Sequence, residues 1–206
     1  MSIQNPIPLE SIQADETKAH ERAHDDVLTR VLEDHAEIKR RFNALTTAGS
    51  APDKREALAA LIHKLVVHET AEREVIHPLT REATQGDAVA DKRIAEEDRA
   101  EDLLARLEQL DVESRGFDDM ITSLRRDVLS HAEAEQAKEF PKIEQAVDAE
   151  QLTRLAPIFR AAEASPSYPA STDPTSAVSH VTPLPLVAIA EQAREAIHNA
   201  RILQEA

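Results

Sequence analysis

The sequence predicts an all-α protein whose main part is an up-down-up-down four-helix bundle. Three observations support this fold class. The 206 residues include 41% hydrophobic residues but only three glycines and 2% aromatic residues, a composition that favours helices over strands. Four stretches carry apolar residues at alternating steps of three and four, the spacing of a helix face that packs on a core. Short loops separate these stretches, as expected for antiparallel neighbours in a bundle.

The first predicted helix follows an N-terminal arm, residues 1–16, which has two prolines and little periodicity. From about Glu21 onward, core-facing positions recur at helical spacing. These positions are Leu28, Val31, His35, Ile38, Phe42 and Leu45. The break from Gly49 to Pro52 ends this helix, and Ser50 is a suitable N-cap for the next one.

The second and third predicted helices differ in the regularity of their apolar stripes. The second has an unbroken stripe in which two positions are polar, formed by Leu58, Leu61, Leu65, His68, Glu72, Val75 and Leu79. After a break at residues 84–87, the third runs from about Ala88 to Leu110. Its expected inner face is less regular and contains Glu97, Ala100, Leu104 and Leu107.

The fourth predicted helix repeats the pattern of the second, with Phe117, Ile121, Leu124, Val128, His131 and Glu135 facing inward. Pro141 is expected to kink or end it, and a short helix over about residues 149–162 follows. We therefore predict a bundle over residues 17–163. Residues 164–185 contain five prolines and are expected to form a Pro/Ser-rich linker. Residues 186–206 are expected to form a C-terminal tail helix that packs on the bundle or, in a homodimer, on a second copy.

One pattern occurs twice in these helices, at His68–Pro78 (HETAEREVIHP) and at His131–Pro141 (HAEAEQAKEFP). Each copy has a histidine, a glutamate four residues later and a proline ten residues after the histidine. Residues four apart lie on the same side of a helix with Cβ atoms about 5–6 Å apart, so the imidazole and the carboxylate can bind one metal ion. His35 occupies an inward position on a third helix.

A single HxxxE pair in a Glu-rich helix is more often a solvent-exposed ion pair, and a lone inward histidine is more often a hydrogen-bonded core residue. Here five polar residues take positions meant for aliphatic side chains: His35, His68, Glu72, His131 and Glu135. Burying such groups costs several kcal/mol unless they are paired or bind a metal. The coincidence therefore favours a non-haem metal site, because imidazole and carboxylate groups bind iron, manganese and zinc.

The composition excludes several other classes of protein. The net charge of −15 would repel a phosphate backbone, so we expect no nucleic-acid partner. The chain has no cysteine, which excludes disulfides, thiolate zinc sites and cysteine-ligated iron–sulfur clusters. No apolar run approaches the ~18 residues of a membrane span, and the first residues lack the basic region of a signal peptide, so we expect a cytoplasmic protein without a membrane partner. A nucleophile elbow, a P-loop and a dinucleotide fingerprint are also missing.

The repeated pattern, together with His35 in LEDHAEIKRRF, resembles the hemerythrin-like HHE cation-binding domain family over residues of about 25–145. That family has a histidine on the first helix, HxxxE on the second, a histidine on the third and HxxxE on the fourth. The resemblance implies a hemerythrin-like bundle and a metal site formed by His35, His68, Glu72, His131 and Glu135.

The third helix departs from the family pattern. The apolar residues that follow the family's third histidine correspond here to Ala100, Leu103, Leu104 and Leu107, which puts Glu97 in the place of that histidine. We therefore predict Glu97 as a substitute ligand, with Glu101 as a helper and Glu69 as a second-tier candidate. The alternative is that Glu97 belongs to a solvated acidic run. The other six histidines are predicted to be structural or surface residues: His20, His24, His63, His77, His180 and His198.

The resemblance implies iron as the cofactor, with two ions per chain, and a small diatomic molecule or peroxide as the ligand at the metal. The function that follows is to bind, sense or react with oxygen species, nitric oxide or iron. A structural mononuclear or zinc site in a helical bundle is one alternative, and a metal-free interaction module is another. Whether the protein is an enzyme stays open, as does the role of Tyr168 in the linker.

Overall fold

The computed structural model describes residues 5–164 and 185–205, and within these ranges it contains helices and no strands. The all-α class is therefore confirmed. The α-helices are α1 (Leu9–Glu21), α2 (Val27–Thr47), α3 (Ala51–Ala71), α4 (His77–Thr84), α5 (Ala88–Leu107), α6 (Arg115–Ala134), α7 (Phe140–Ala146), α8 (Ala149–Ala161) and α9 (Leu186–Glu205). Two π-helical turns, Glu72–Ile76 and Glu135–Glu139, join α3 to α4 and α6 to α7.

Four long helical stretches correspond to the four predicted bundle helices: α2, α3 continued by α4, α5, and α6 continued by α7. The structure packs α2 against α3, α4 against α5 and α7, and α5 against α6. Side-chain caps define the starts of several of these helices, because Asp26, Ser50 and Ser114 each accept a hydrogen bond from a backbone N–H of the first turn. The strict up-down-up-down order stays a prediction.

The N-terminal segment differs from the expected arm. Residues 9–16, predicted to be irregular, lie within α1, which packs against α2. Ile12, Asp15 and Ala19 are its buried residues, and their spacing of three and four places them on one face. The signal was weak because a charged residue, Asp15, takes one of the buried positions, where Lys39 of α2 pairs with it at 2.6 Å.

The core runs along the inner faces of the long helices. Its largest fully buried side chains include Phe42, Leu61, Leu65, Leu104 and Phe117. Full burial of each contributes roughly 1.5–3 kcal/mol, and together these contributions offset the cost of placing charged groups inside the same bundle. The site described below is therefore built into a core that is otherwise apolar.

The tail helix α9 packs on α3 and α8 of its own chain through Ile189, Ala193 and Ile197. Arg201 donates to the backbone carbonyl of Glu74, so the tail is also fixed to the π turn of the second bundle helix. A homodimer through this helix stays a prediction. The predicted Pro/Ser-rich linker, with Tyr168 and His180, lies almost wholly outside the described residues. Among the helices that the structure describes, none is both long and apolar enough to cross a membrane.

Candidate metal centre

Each HxxxE copy ends in a π turn that begins at its glutamate. The backbone N–H of His77 donates to the carbonyl of Glu72, and that of Phe140 donates to the carbonyl of Glu135, five residues back in each case. The prolines explain the widened turn, because Pro78 and Pro141 have no N–H and their rings would clash with the carbonyl four residues earlier. The shared proline offset therefore has the same structural consequence in both copies.

The two copies and His35 converge inside the bundle. Two groups of side chains place one ligand atom each within 4.8 Å of one another: His35 with His68 and Glu72, and Glu72 with His131 and Glu135. Five of the six predicted ligands thus meet in two overlapping triads that share Glu72. The helix spacing accounts for the pairing of histidine and glutamate within each copy, since i and i+4 residues share a helix face.

Glu72 and Glu135 each have one carboxylate oxygen near His35 or His68 and the other near His131. Oε1 of Glu72 lies 3.2 Å from Nε2 of His68 and 3.9 Å from Nε2 of His35, whereas its Oε2 lies 3.7 Å from Nε2 of His131. Oε2 of Glu135 lies 3.3 Å from Nε2 of His35, and its Oε1 lies 3.4 Å from Nε2 of His131. We call the part around His35 and His68 the first half and the part around His131 the second half.

The oxygen and nitrogen atoms that could bind a metal ion are buried and lack hydrogen bonds. Glu72 and Glu135 have no exposed surface, and none of their four carboxylate oxygens has a hydrogen-bond partner. The Nε2 atoms of His35 and His131 are also buried and have no hydrogen-bond partner. Buried carboxylates without donors cost several kcal/mol, so such groups are normally paired or bind cations. Unpartnered imidazole nitrogens and carboxylate oxygens that face one another fit the binding of divalent cations.

In each HxxxE copy, a carboxylate from another helix contacts Nδ1 of the histidine and orients its ring. Nδ1 of His68 lies 3.1 Å from Oδ2 of Asp34, whose other oxygen pairs with Lys64. Nδ1 of His131 lies 3.2 Å from Oε2 of Glu96, which also pairs with Arg93. Carboxylate–histidine pairs of this kind fix the ring and leave Nε2 free to bind a metal.

These partners also shift pKa values in the direction expected for close opposite charges. Burial opposes the charge on His68, but the carboxylates of Glu72 and Asp34 outweigh it and raise its pKa. The charge of Glu135 does the same for His131 and raises its pKa well above the ordinary value. Although burial disfavours the ionised form of Asp34, its bonds to His68 and Lys64 hold its pKa well below the usual range.

His35 differs from the other two histidines because its Nδ1 contacts an amide and not a carboxylate. Its Nδ1 lies 3.0 Å from the amide Nε2 of Gln136, and this amide also contacts Asp15 and Lys18. A neutral amide polarises an imidazole less than a carboxylate does. The three histidines of the triads therefore differ in their Nδ1 partners, which are carboxylates for His68 and His131 and an amide for His35.

Glu97 is buried beside the second half, as predicted, but it lies in neither triad. Its Oε1 is 3.9 Å from Nε2 of His131 and 2.5 Å from Nε2 of His77, and its Oε2 is 2.6 Å from Nε of Arg73. Both of its oxygens therefore have protein donors, unlike those of Glu72 and Glu135. A ligand role for Glu97 stays a prediction.

The two weaker candidates differ in burial. Glu101 is part-exposed and lies 3.4 Å from Arg73, on the outer side of Glu97. Glu69 is buried, and its Oε2 has no hydrogen-bond partner. Burial, followed by the charge of Glu97, raises the pKa of Glu69 well above its ordinary value, which favours a neutral carboxyl group. Neither residue belongs to a triad among the described residues.

His77, predicted to be a structural or surface residue, lies in neither triad. The residue is fully buried and contacts Glu97. Counting 100° per residue from His68 would turn its side chain away from the His68 face, but the segment between them includes a π turn. Of the others, His20, His24 and His198 are exposed and His63 is half-buried, in agreement with their prediction as structural or surface residues.

A small cavity adjoins the donor atoms. It has a volume of ≈ 20 Å³, which is room for about one water-sized molecule. The site residues line one side of it, and Glu69, Ala100, Val128 and Leu129 line another. The site therefore offers imidazole nitrogens and carboxylate oxygens beside a space that holds only a very small molecule.

A family model described as the hemerythrin HHE cation-binding domain matches residues 26–143. These residues are more than half of the chain and include both HxxxE copies, His35 and Glu97. No curated protein and no solved structure matches the chain.

Proposed function

Because this chain belongs to the hemerythrin HHE cation-binding family, we propose that it is a non-haem di-iron protein that binds, senses or reacts with oxygen species, nitric oxide or iron. Metal binding by residues of the bundle is what the family and the converging histidine and glutamate side chains support directly. The identity of the metal, the number of ions and the small molecule are the proposal.

One observation carries the proposal of two ions. Glu72 and Glu135 each turn one unpartnered oxygen toward the first half and the other toward the second half. A single cation would leave two or more of these oxygens buried without a donor, at a cost of several kcal/mol. Two cations that share both carboxylates would satisfy all four oxygens.

Iron suits the donor set, which combines imidazole nitrogens with carboxylate oxygens and contains no thiolate. Iron supplies one-electron redox chemistry and affinity for oxygen species when it is bound. The chain contributes orientation, through Asp34 and Glu96 behind two of the imidazoles. It also limits access, because Ala100, Val128 and Leu129 leave room beside the site for only a very small molecule.

Glu97 bears on which small molecule is handled. A carboxylate where the family has a histidine makes the surroundings of the site more anionic, which favours the ferric over the ferrous state. We therefore propose peroxide, nitric oxide or iron itself, ahead of reversible oxygen carriage. Arg73 moderates this effect, because its guanidinium is 2.6 Å from Oε2 of Glu97.

A structural zinc ion is the second candidate, and the geometry of the first half favours it. His35, His68 and Glu72 form one group of candidate ligands, and Oε2 of Glu135 lies 3.3 Å from Nε2 of His35, so this half offers the four protein ligands of a closed zinc site. On this alternative, one ion would bind in the first half and the second half would take up none. A metal-free interaction module would leave the buried oxygens of Glu72 and Glu135 without any donor, so it has less support.

Metal analysis separates these functions. We expect protein purified from iron-replete cells to contain about two iron atoms per chain and to show ligand-to-metal absorption bands that change when peroxide is added. About one zinc per chain, without such bands, would favour the structural alternative. A chain that contains no metal, and whose melting temperature is unchanged by chelator or by added Fe²⁺, would contradict both.

A further inference from the structure

The two halves of the site have unequal numbers of imidazoles. The first half contains Nε2 of both His35 and His68, whereas the second half contains only that of His131 among the triads. Each half also has one oxygen from Glu72 and one from Glu135. The second half is therefore one nitrogen donor short of the first.

The π turn brings another imidazole to this half. His77 follows His68 by nine residues, which in an unbroken α-helix would place it ~180° around the axis. The π turn at Glu72–Ile76 accommodates one extra residue. His77 therefore points in the direction that the eighth residue after His68 would have in a regular α-helix, only ~80° around the axis from His68. It thus faces the bundle interior next to α5.

The burial of His77 leaves one of its two nitrogens without a partner. The side chain has no exposed surface, and its Nδ1 has no hydrogen-bond partner. The equivalent residue in the other copy, nine after His131, is Phe140, which is also buried. The two copies therefore do not share an imidazole at this position, and a buried imidazole with one unsatisfied nitrogen is costly.

The other nitrogen of His77 contacts Glu97, which lies beside the second half. Its Nε2 lies 2.5 Å from Oε1 of Glu97, and the same oxygen lies 3.9 Å from Nε2 of His131. Two atoms bound to one cation at ~2.1 Å and at right angles to each other are ~3 Å apart. A movement of about half an ångström between His77 and Glu97 would therefore let both contact one cation.

We propose that His77 is a ligand of the cation in the second half, binding through Nε2 beside Glu97. It supplies from the end of the second bundle helix the nitrogen donor that the third helix lacks. This inference rests on the proposed two-cation function. It differs from a role in which His77 only orients Glu97 through a hydrogen bond.

The test uses the full chain loaded with Co²⁺, because each imidazole bound to Co²⁺ contributes one strongly shifted, solvent-exchangeable N–H resonance to the proton NMR spectrum. We expect four such resonances in the wild type, from His35, His68, His77 and His131, and three in His77→Phe. The matched control is His63→Phe, the same substitution at a half-buried histidine of α3 outside the site. It should keep four resonances.

Titration with Co²⁺ gives the second readout. His77→Phe should weaken the second binding event by more than ~100-fold, beyond the ~10–100-fold typical of residues that only support a ligand, and leave the first within ~2-fold. Three resonances in the wild type would overturn the inference even if the variant failed to fold. A wild-type spectrum unchanged by His77→Phe would do the same, while a wild type that binds no Co²⁺ and no Fe²⁺ would instead contradict the proposed function.

Discussion

The two HxxxE copies are alike in backbone and different in what surrounds them. Both place a buried glutamate at the start of a π turn, and in both a carboxylate on another helix holds Nδ1 of the histidine. They differ eight and nine residues after the histidine, where the first copy has Ile76 and His77 and the second has Glu139 and Phe140. The spacing of a motif thus sets the position of its ligands, whereas neighbouring positions decide the donors and charges around each half.

The largest effect is expected from Glu72→Gln, because this carboxylate serves both halves. An amide has one oxygen and no charge, so the variant should lose both cations, with at least ~100-fold weaker affinity for each. Iron content after reconstitution measures the loss. Glu74→Gln is the matched control, since Glu74 lies in the same π turn but is half-buried outside the site. Retention of two iron atoms by Glu72→Gln would mean that the two halves do not share this residue.

Removing one histidine from each copy should give smaller, half-specific losses. His131→Ala should lose the cation of the second half and keep that of the first, and His68→Ala should do the opposite. Each variant should therefore contain about one iron atom per chain, as measured by elemental analysis. His198→Ala, at an exposed position of α9, should keep two. Complete loss of iron in both variants would show that the halves fill only together.

The residues behind the histidines should matter less than the histidines themselves. Asp34→Asn should weaken the first half by ~10–100-fold and Glu96→Gln the second half by a similar factor, because each removes the carboxylate that orients one ring. Competition titrations with a chelator would measure these affinities. Glu33→Gln, at the exposed neighbour of Asp34, is the control. Equal weakening of both halves by either variant would contradict the separate support of each.

The smallest effect concerns the pH dependence of the metal-free protein. Burial, followed by the charge of Glu135, raises the pKa of Glu139 from 4.5 to about 7. Between these values the folded chain keeps a proton that the unfolded chain has released, so the free energy of unfolding falls as pH rises through this window. Glu139→Gln should reduce this slope, as measured by urea denaturation at pH 5 and pH 8.

The control for this comparison is Glu133→Gln, which changes an exposed glutamate six residues earlier and should leave the slope unchanged. The first copy has Ile76 at the position of Glu139, so the effect belongs to the second copy alone. If Glu139→Gln has the same slope as wild type, the proton that Glu139 is expected to keep is not bound there.

The sequence predicted the features that depend on helix periodicity. The inward stripes of four helices and the pairing of His68 with Glu72 and of His131 with Glu135 follow from residues that are four apart. The burial of Glu97 was also predicted, from its offset to the apolar residues of α5. These are regular-helix properties, and they hold wherever the helix stays regular.

What could not be predicted depends on departures from that regularity and on partners from other helices. The contact of His77 with Glu97 was not predicted, because a π turn changes the angle between consecutive side chains, although the proline after His77 gave a hint. Asp34 and Glu96 precede residues of interest by one position and lie off the predicted stripes. Their roles follow from the packing of α2 on α3 and of α5 on α6, which no single helix encodes.

The central claim is that Glu72 and Glu135 lie between two cations. Anomalous diffraction from crystals of the iron-loaded protein, recorded at the iron absorption edge, tests it most directly. We expect two peaks inside the bundle, one beside His35 and His68 and one beside His131, with both carboxylates in contact with each peak. A single peak, or peaks away from these two glutamates, would contradict the account.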